Sequence, residues 1–260
     1  VSDHIGSFHT EVKFTQKEAL DAIEEVIYTI ESWDTTTIRA SVGQYLVSKY
    51  ISENTDCKVV LVGEGPDEVC SSYLFNWYAP EDNNSITQSS MEYVKNIHMY
   101  DCKRSDRCIS NCGLEGRVPF LDPEFIEQYW SLPSNFRHPK YKNSEKWWLR
   151  EAFKDLLPES VLWRKKEAFS DGISSQDKSW FEIIKEFCEN KYTDNDLQDY
   201  INKTGKQVPT KESLHYMMIF DKIFGDINRD IIPKYWQPKW DQSGIVNDYI
   251  DPSARTLNVY

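Results

Sequence analysis

The 260 residues contain no hydrophobic run approaching the ~18 apolar residues that a membrane-spanning helix requires, so no span is expected. They also lack a basic excess. Forty-two acidic residues against 30 basic ones leave a formal charge of −12, which argues against a general nucleic-acid binder but leaves room for a local basic pocket. The six cysteines lack the paired spacing of a secreted disulfide framework and read as thiols of a reducing, cytoplasmic compartment. No internal repeat occurs, and no signal-peptide pattern opens the sequence. Nor does it open on methionine: Val1 leads into an extended pattern over residues 7–14, so a piece of a longer chain is expected. The length suffices for a core without disulfide or metal staples.

Thr15 followed by Glu18 is a capping-box pair, and Leu20, Ile23, Val26, Ile27 and Ile30 recur on one face, which predicts an amphipathic helix over 15–32. A second helix is expected from about Thr37, with Ile38, Val42, Tyr45, Leu46 and Lys49 at helical spacing. "ENTD" then releases the chain into "CKVVLV", a continuous β-branched run of the kind found in a central parallel strand. This order predicts an α/β plan, with "GEGPDE" at the carboxyl end of a strand, where such sheets bind ligands. Helical patterns follow over 88–111, 123–131, 144–157, 177–190 and 211–225, after a polar, mobile loop "EDNNSITQSS". From Ile231 the sequence has no period, and an irregular tail over 231–260 is expected, with its order left open.

Four constellations invite chemistry. Gly63 and Gly65 flank Glu64 and allow a sharp turn and close ligand approach, while Pro66 starts a helix with Asp67 and Glu68 in its first turn. Those two acids also suit a helix start with no further role. In "SSMEYVKNIHMYDCKRSDRCISNCG", Val94, Ile97, Asp101, Arg104 and Cys108 share one stripe, so a carboxylate and a guanidinium fall where apolar residues belong. They make either an i,i+3 ion pair or the wall of a polar pocket. "TTTIRAS" puts Thr36, Thr37 and Arg39 at a helix start, and "WRKKEAFSDG" gathers Arg164, Lys165 and Lys166. Both suit anions, and both also read as plain surface charge. His98 with Cys102, and Cys108 with Cys112, are each one turn apart, yet the spacing fits no common zinc pattern.

In order, "TTIRAS", "GEGPDEV", "HMYDCKR", "GLEGRVPFLD", "EKWWLREAF" and "LPESVLWRKKEAFSDG" resemble the synthetase domain of the glutamine-dependent asparagine synthetase family. The resemblance runs from about Phe8 to Asp230, giving a partial synthetase domain over 1–230 before the tail. It implies a doubly wound parallel sheet of the pyrophosphatase-type ATP enzymes (adenine-nucleotide α-hydrolase-like), followed by a mainly helical part. It implies ATP and Mg²⁺, and activation of the aspartate side chain as an acyl-adenylate that ammonia converts to asparagine. Ammonia would come from glutamine through an amino-terminal glutaminase domain, and full-length relatives of this type self-associate, so a homodimer is open.

By the same resemblance, Asp67 would bind Mg²⁺, Arg39 and Thr36 would hold pyrophosphate, and Lys166 would meet phosphate charge. Glu64 would act as base or orienting group, Asp101 and Arg104 would line the aspartate pocket, and Gly63 and Gly65 would lie against the nucleotide. The chain departs from the family in lacking the glutaminase domain and the "SGGxDS" loop, in Val62 where serine is usual, and in Ser71 and Ser72 replacing glycines. These departures keep two alternatives open: a non-catalytic binding or regulatory protein, and a ligase that forms other amides or β-lactam rings. Asp101, as partner for an amino group, favours aspartate.

Overall fold

The computed structural model describes residues 1–82, 84–174, 178–257 and 259, without the side chains of 226, 227 and 254. Thr15 accepts a hydrogen bond from the Glu18 amide while the Glu18 carboxylate accepts from the Thr15 amide, and this box starts a helix over Gln16–Asp21. That helix runs through Ala22 into α1 (Ile23–Ile30), so the predicted 15–32 helix is present with a slight break. Val26, Ile27 and Ile30 are fully buried on its inner face.

The next helix, α2 (Thr35–Asn54), starts two residues before the expected position because Asp34 is its cap. One Asp34 oxygen accepts from the Thr37 amide at 2.8 Å and its hydroxyl at 2.7 Å; the other accepts from the Trp236 amide at 2.6 Å. Burial pushes this carboxyl up to about 6 despite those three donors. In the unfolded chain it returns towards its ordinary 3.8. The folded state therefore binds the extra proton between these values, and its contribution to stability falls as pH rises through the window. Asp34→Asn removes this dependence. In urea unfolding at pH 4, 5, 6 and 7, stability of the variant relative to the parent is expected to climb with pH; a constant offset would contradict the assignment.

The strand β1 (Val59–Leu61) pairs in parallel with β2 (Glu115–Arg117), Val59 opposite Glu115 and Leu61 opposite Arg117. These are the only parallel strands among the described residues. The expected doubly wound sheet is thus represented by one pair, and the expected central strand stands at an uncovered edge, with Val59 51% and Leu61 79% exposed. "CKVVLV" carries the apolar content of a central strand, but no strand among the described residues pairs with its second side.

Most other expectations differ in extent rather than kind. The 88–111 helix is two, α3 (Ser85–Asn96) and α4 (Asp101–Ser110), separated at Tyr100 by a non-helical backbone (φ −126°, ψ −94°). Six of the ten residues of the expected loop belong to α3, because Asp82 accepts from the amides of Asn84 and Ser85 and organises its start; residue 83 lies outside the described residues. Helices over Pro123–Trp130, α5 (Trp180–Lys191) and α6 (Lys211–Phe224) match, with residue 177 outside the description. The 144–157 helix shrinks to Trp147–Ala152, and a helix over Asp194–Thr204 was not foreseen.

The tail is irregular but packed. Ile232, Tyr235, Trp236 and Trp240 enter the same core as α1, α2, α5 and α6, whose centre holds Ile38, Val42, Tyr216, Met217 and Phe220. Apolar burial of four such side chains outweighs the missing period, at about 1.5–3 kcal/mol for each large residue. No helix among the described residues is long and apolar enough to cross a membrane.

Candidate active site

At the end of β1 the chain turns through Gly63, Glu64 and Gly65. Gly65 has φ +100°, and a Cβ there would lie 2.4 Å from Leu121 Cδ2, so both the backbone and the close packing require glycine. Pro66 opens the short helix Pro66–Val69. The turn faces a cavity of about 310 Å³ lined by residues of α2, α4 and the segment after Arg164.

On one wall, the buried Arg104 guanidinium donates to Glu64 Oε2 at 2.9 Å, Asp101 Oδ1 at 2.7 Å and Gln44 Oε1 at 3.1 Å. The two readings of the Asp101 and Arg104 stripe therefore coincide: the residues are an i,i+3 pair and also line the cavity. Burial pushes the Glu64 carboxyl up against the pull of Arg104, with the charges of Asp101 and Asp67 adding to the rise. Glu68 is buried beneath it and accepts from the Tyr73 hydroxyl. Burial, then the Asp101 and Asp67 charges, raise Glu68 well above the usual carboxylate range, which favours its neutral form.

On the opposite wall, Asp67 is shared by two ammoniums: Lys146 Nζ is 2.8 Å from Oδ1 and Lys166 Nζ is 2.9 Å from Oδ2. Burial opposes its ionisation, but Lys146 and Lys166 overcome this and hold the carboxyl far below its usual range. A second cleft of about 470 Å³ adjoins this wall, sharing Asp67, Lys166 and Phe169 and adding Arg150 and Lys165.

Of the residues singled out from sequence, Thr36, Gly63, Glu64, Gly65, Asp67, Asp101, Arg104 and Lys166 all border the first cavity. The Thr36 hydroxyl is buried there without a hydrogen-bond partner. Among those given a role by the resemblance, Arg39 is the exception. Thr36, Ala40 and Gln44 recur every four residues on the cavity face of α2, and Arg39 falls on the next face. Its guanidinium donates to both Glu212 oxygens at 2.7 and 2.6 Å and to both Asp251 oxygens at 2.9 Å. In this arrangement the guanidinium is committed to those two carboxylates.

Lys146, Gln44 and Tyr73 escaped the sequence reading, which named Glu68 only as an acid at a helix start. Lys146 lay within the quoted "EKWWLREAF", and its left-handed backbone (φ 53°) marks a strained position that only the structure reveals. Metal binding finds little support. No group of three or more His, Cys, Asp or Glu among the described residues could hold an ion, and Cys108 belongs to the core. With both Asp67 oxygens bound by ammoniums, the donor set does not fit a Mg²⁺ ion caged by these residues alone.

The family model for asparagine synthase matches residues 1–92 and 76–207. The chain belongs to the asparagine synthase family. It is 44% identical over 263 aligned positions to the glutamine-hydrolyzing asparagine synthetase of Gallus gallus, with all of this chain and 45% of the relative covered. The corresponding proteins of Homo sapiens and Bos taurus are 43% and 42% identical over the same shares. The chain thus spans about half the length of the curated relatives it matches. Within the asparagine synthase family match lie both cavity walls, from Thr36 on α2 to Lys166.

Proposed function

We propose that this chain supplies the aspartate-activating part of an ATP-dependent ligase that makes asparagine. One observation carries the reading: a single cavity beside a parallel-strand end joins a Glu64, Arg104 and Asp101 cluster to an Asp67 flanked by two lysines. The first wall suits an amino acid, since Arg104 matches a carboxylate and Asp101 an ammonium group. The second suits phosphate, because Lys166 and Lys146 can turn from Asp67 to an arriving polyanion.

In the proposed reaction, an oxygen of the aspartate side chain attacks the α-phosphorus of ATP, and the bond to pyrophosphate breaks. Ammonia then attacks the acyl carbon, AMP leaves, and a proton is lost from nitrogen. Negative charge grows on phosphate oxygens in the first step, where fixed cations stabilise it most. Glu64, raised by burial, is suited to take the proton in the second. Thr36 keeps an uncommitted hydroxyl for phosphate, whereas Arg39 joins only if Asp251 releases it. Mg²⁺ is left to arrive with the nucleotide phosphates, the usual way this ion is held.

The relatives' name adds glutamine as ammonia source and their greater length leaves room for a glutaminase part; further parallel strands beside β1, a cytoplasmic setting and self-association rest on the family resemblance alone. Aspartate- and ATP-dependent pyrophosphate release with ammonia, assayed on this chain and on a version extended to the relatives' length, tests the reading. Release in the extended version supports it. No release from either, with both folded, overturns it.

A further inference from the structure

The segment that carries Lys166 has little core of its own. Residues 164–168 form no regular structure; Phe169 is half exposed, and among residues 164–171 only Asp171 is buried. Segments with so little buried apolar contact open at low cost unless something else holds them.

The tail does hold this one. Arg255 donates to Glu167 Oε1 from Nη2 at 2.6 Å and from Nε at 3.2 Å, and to the Asp171 carbonyl at 3.0 Å. Ser253, itself buried, donates from Oγ to the Asp171 carboxylate, at 2.9 Å from Oδ1 and 3.1 Å from Oδ2. Two residues earlier, Asp251 accepts from the Ser253 amide and grips Arg39 on α2. The contacts thus run from α2 through the tail to Glu167, whose neighbour Lys166 reaches Asp67.

We propose that Asp251, Ser253 and Arg255 form a strap of positioning residues that holds the Lys166 segment against the cavity. Release of the strap withdraws Lys166 from Asp67. The position of Lys166 is set by these contacts whether or not a reaction follows, but its catalytic meaning rests on the asparagine-forming reading above. One residue, Arg39, links the strap to the helix that bears Thr36 and Gln44, so tail and cavity wall share an anchor.

The test is lysine labelling by reductive methylation, read peptide by peptide, for the parent, Arg255→Ala, Arg255→Lys and Glu167→Gln. Two charge-assisted hydrogen bonds are lost from Glu167 in the alanine variant, so Lys166 should label about tenfold faster or more. Exposed Lys17 and Lys222 serve as references and should not change. Glu167→Gln, which takes the charge out of the same contact from the segment side, should shift labelling in the same direction if Arg255→Ala fails to fold. Arg255→Lys keeps the charge but not the fork, and should fall between.

In the extended protein, the same order should appear in kcat for pyrophosphate release, with the KM for aspartate little changed. Equal Lys166 labelling in folded Arg255→Ala and Glu167→Gln would overturn the strap. Faster labelling in a protein that never releases pyrophosphate would retain the strap and overturn the catalytic reading instead.

Discussion

Lys166→Ala is expected to lower kcat for aspartate-dependent pyrophosphate release by about 10²–10³-fold, the loss typical of one fixed group aimed at developing charge. The side chain is nearly buried, with its ammonium 2.9 Å from Asp67 Oδ2. An ammonium held there can move to phosphate oxygens without first shedding much water. Folding should survive the change, because Lys146 still neutralises Asp67 from 2.8 Å. The KM for aspartate should move little, since Arg104 and Asp101 stand on the other wall. Unchanged kcat in a folded variant would remove Lys166 from the chemistry and move the phosphate site towards Lys146 and Arg150.

Arg39→Met is expected to destabilise the fold by about 3–5 kcal/mol, the cost of leaving a buried partner charge uncompensated. Arg39 and Glu212 are each about 4% exposed at the side chain, and two hydrogen bonds join them. Burial alone would lower the Arg39 pKa, but Glu212 and Asp251 carry it above the usual value. Replacing both members, as Arg39→Met with Glu212→Leu, should cost less than the single change, because the deeply buried Glu212 charge goes with its partner and only Asp251, 29% exposed at its side chain, loses an ion pair. Urea unfolding of the two variants decides the matter. Near-parent stability of Arg39→Met with lost pyrophosphate release would instead favour the phosphate role that resemblance assigns to this residue.

The contrast between these two residues shows what the sequence could and could not disclose. Lys166 and Asp67 lie far apart in the chain, yet both sit in motifs whose composition is unusual for plain packing, so their types alone drew notice. Arg39 sits in an equally telling motif, but its fate depends on Glu212 and Asp251, more than 170 residues away. Local pattern carries no information about such a partner. The capping boxes and the apolar stripe of α1 were legible because helix periodicity and caps are local. The sheet was not, since strand pairing is long-range and "CKVVLV" reads the same at a centre or an edge. Lys146 was missed because its distinguishing mark is a backbone angle, not a neighbour in sequence.

The bare side of β1 has a consequence for how the chain behaves in bulk. Val59 and Leu61 project on one face of a strand whose second row of amides and carbonyls has no strand partner among the described residues. That is a template on which another copy can add its own strand. Opposing it is the charge of −12, which makes copies repel while ionic strength is low. At physiological salt the Debye length is only about 8 Å, short enough to let edges meet. Colloidal stability of this chain therefore rests on electrostatics rather than on a protected edge, and added salt works against it.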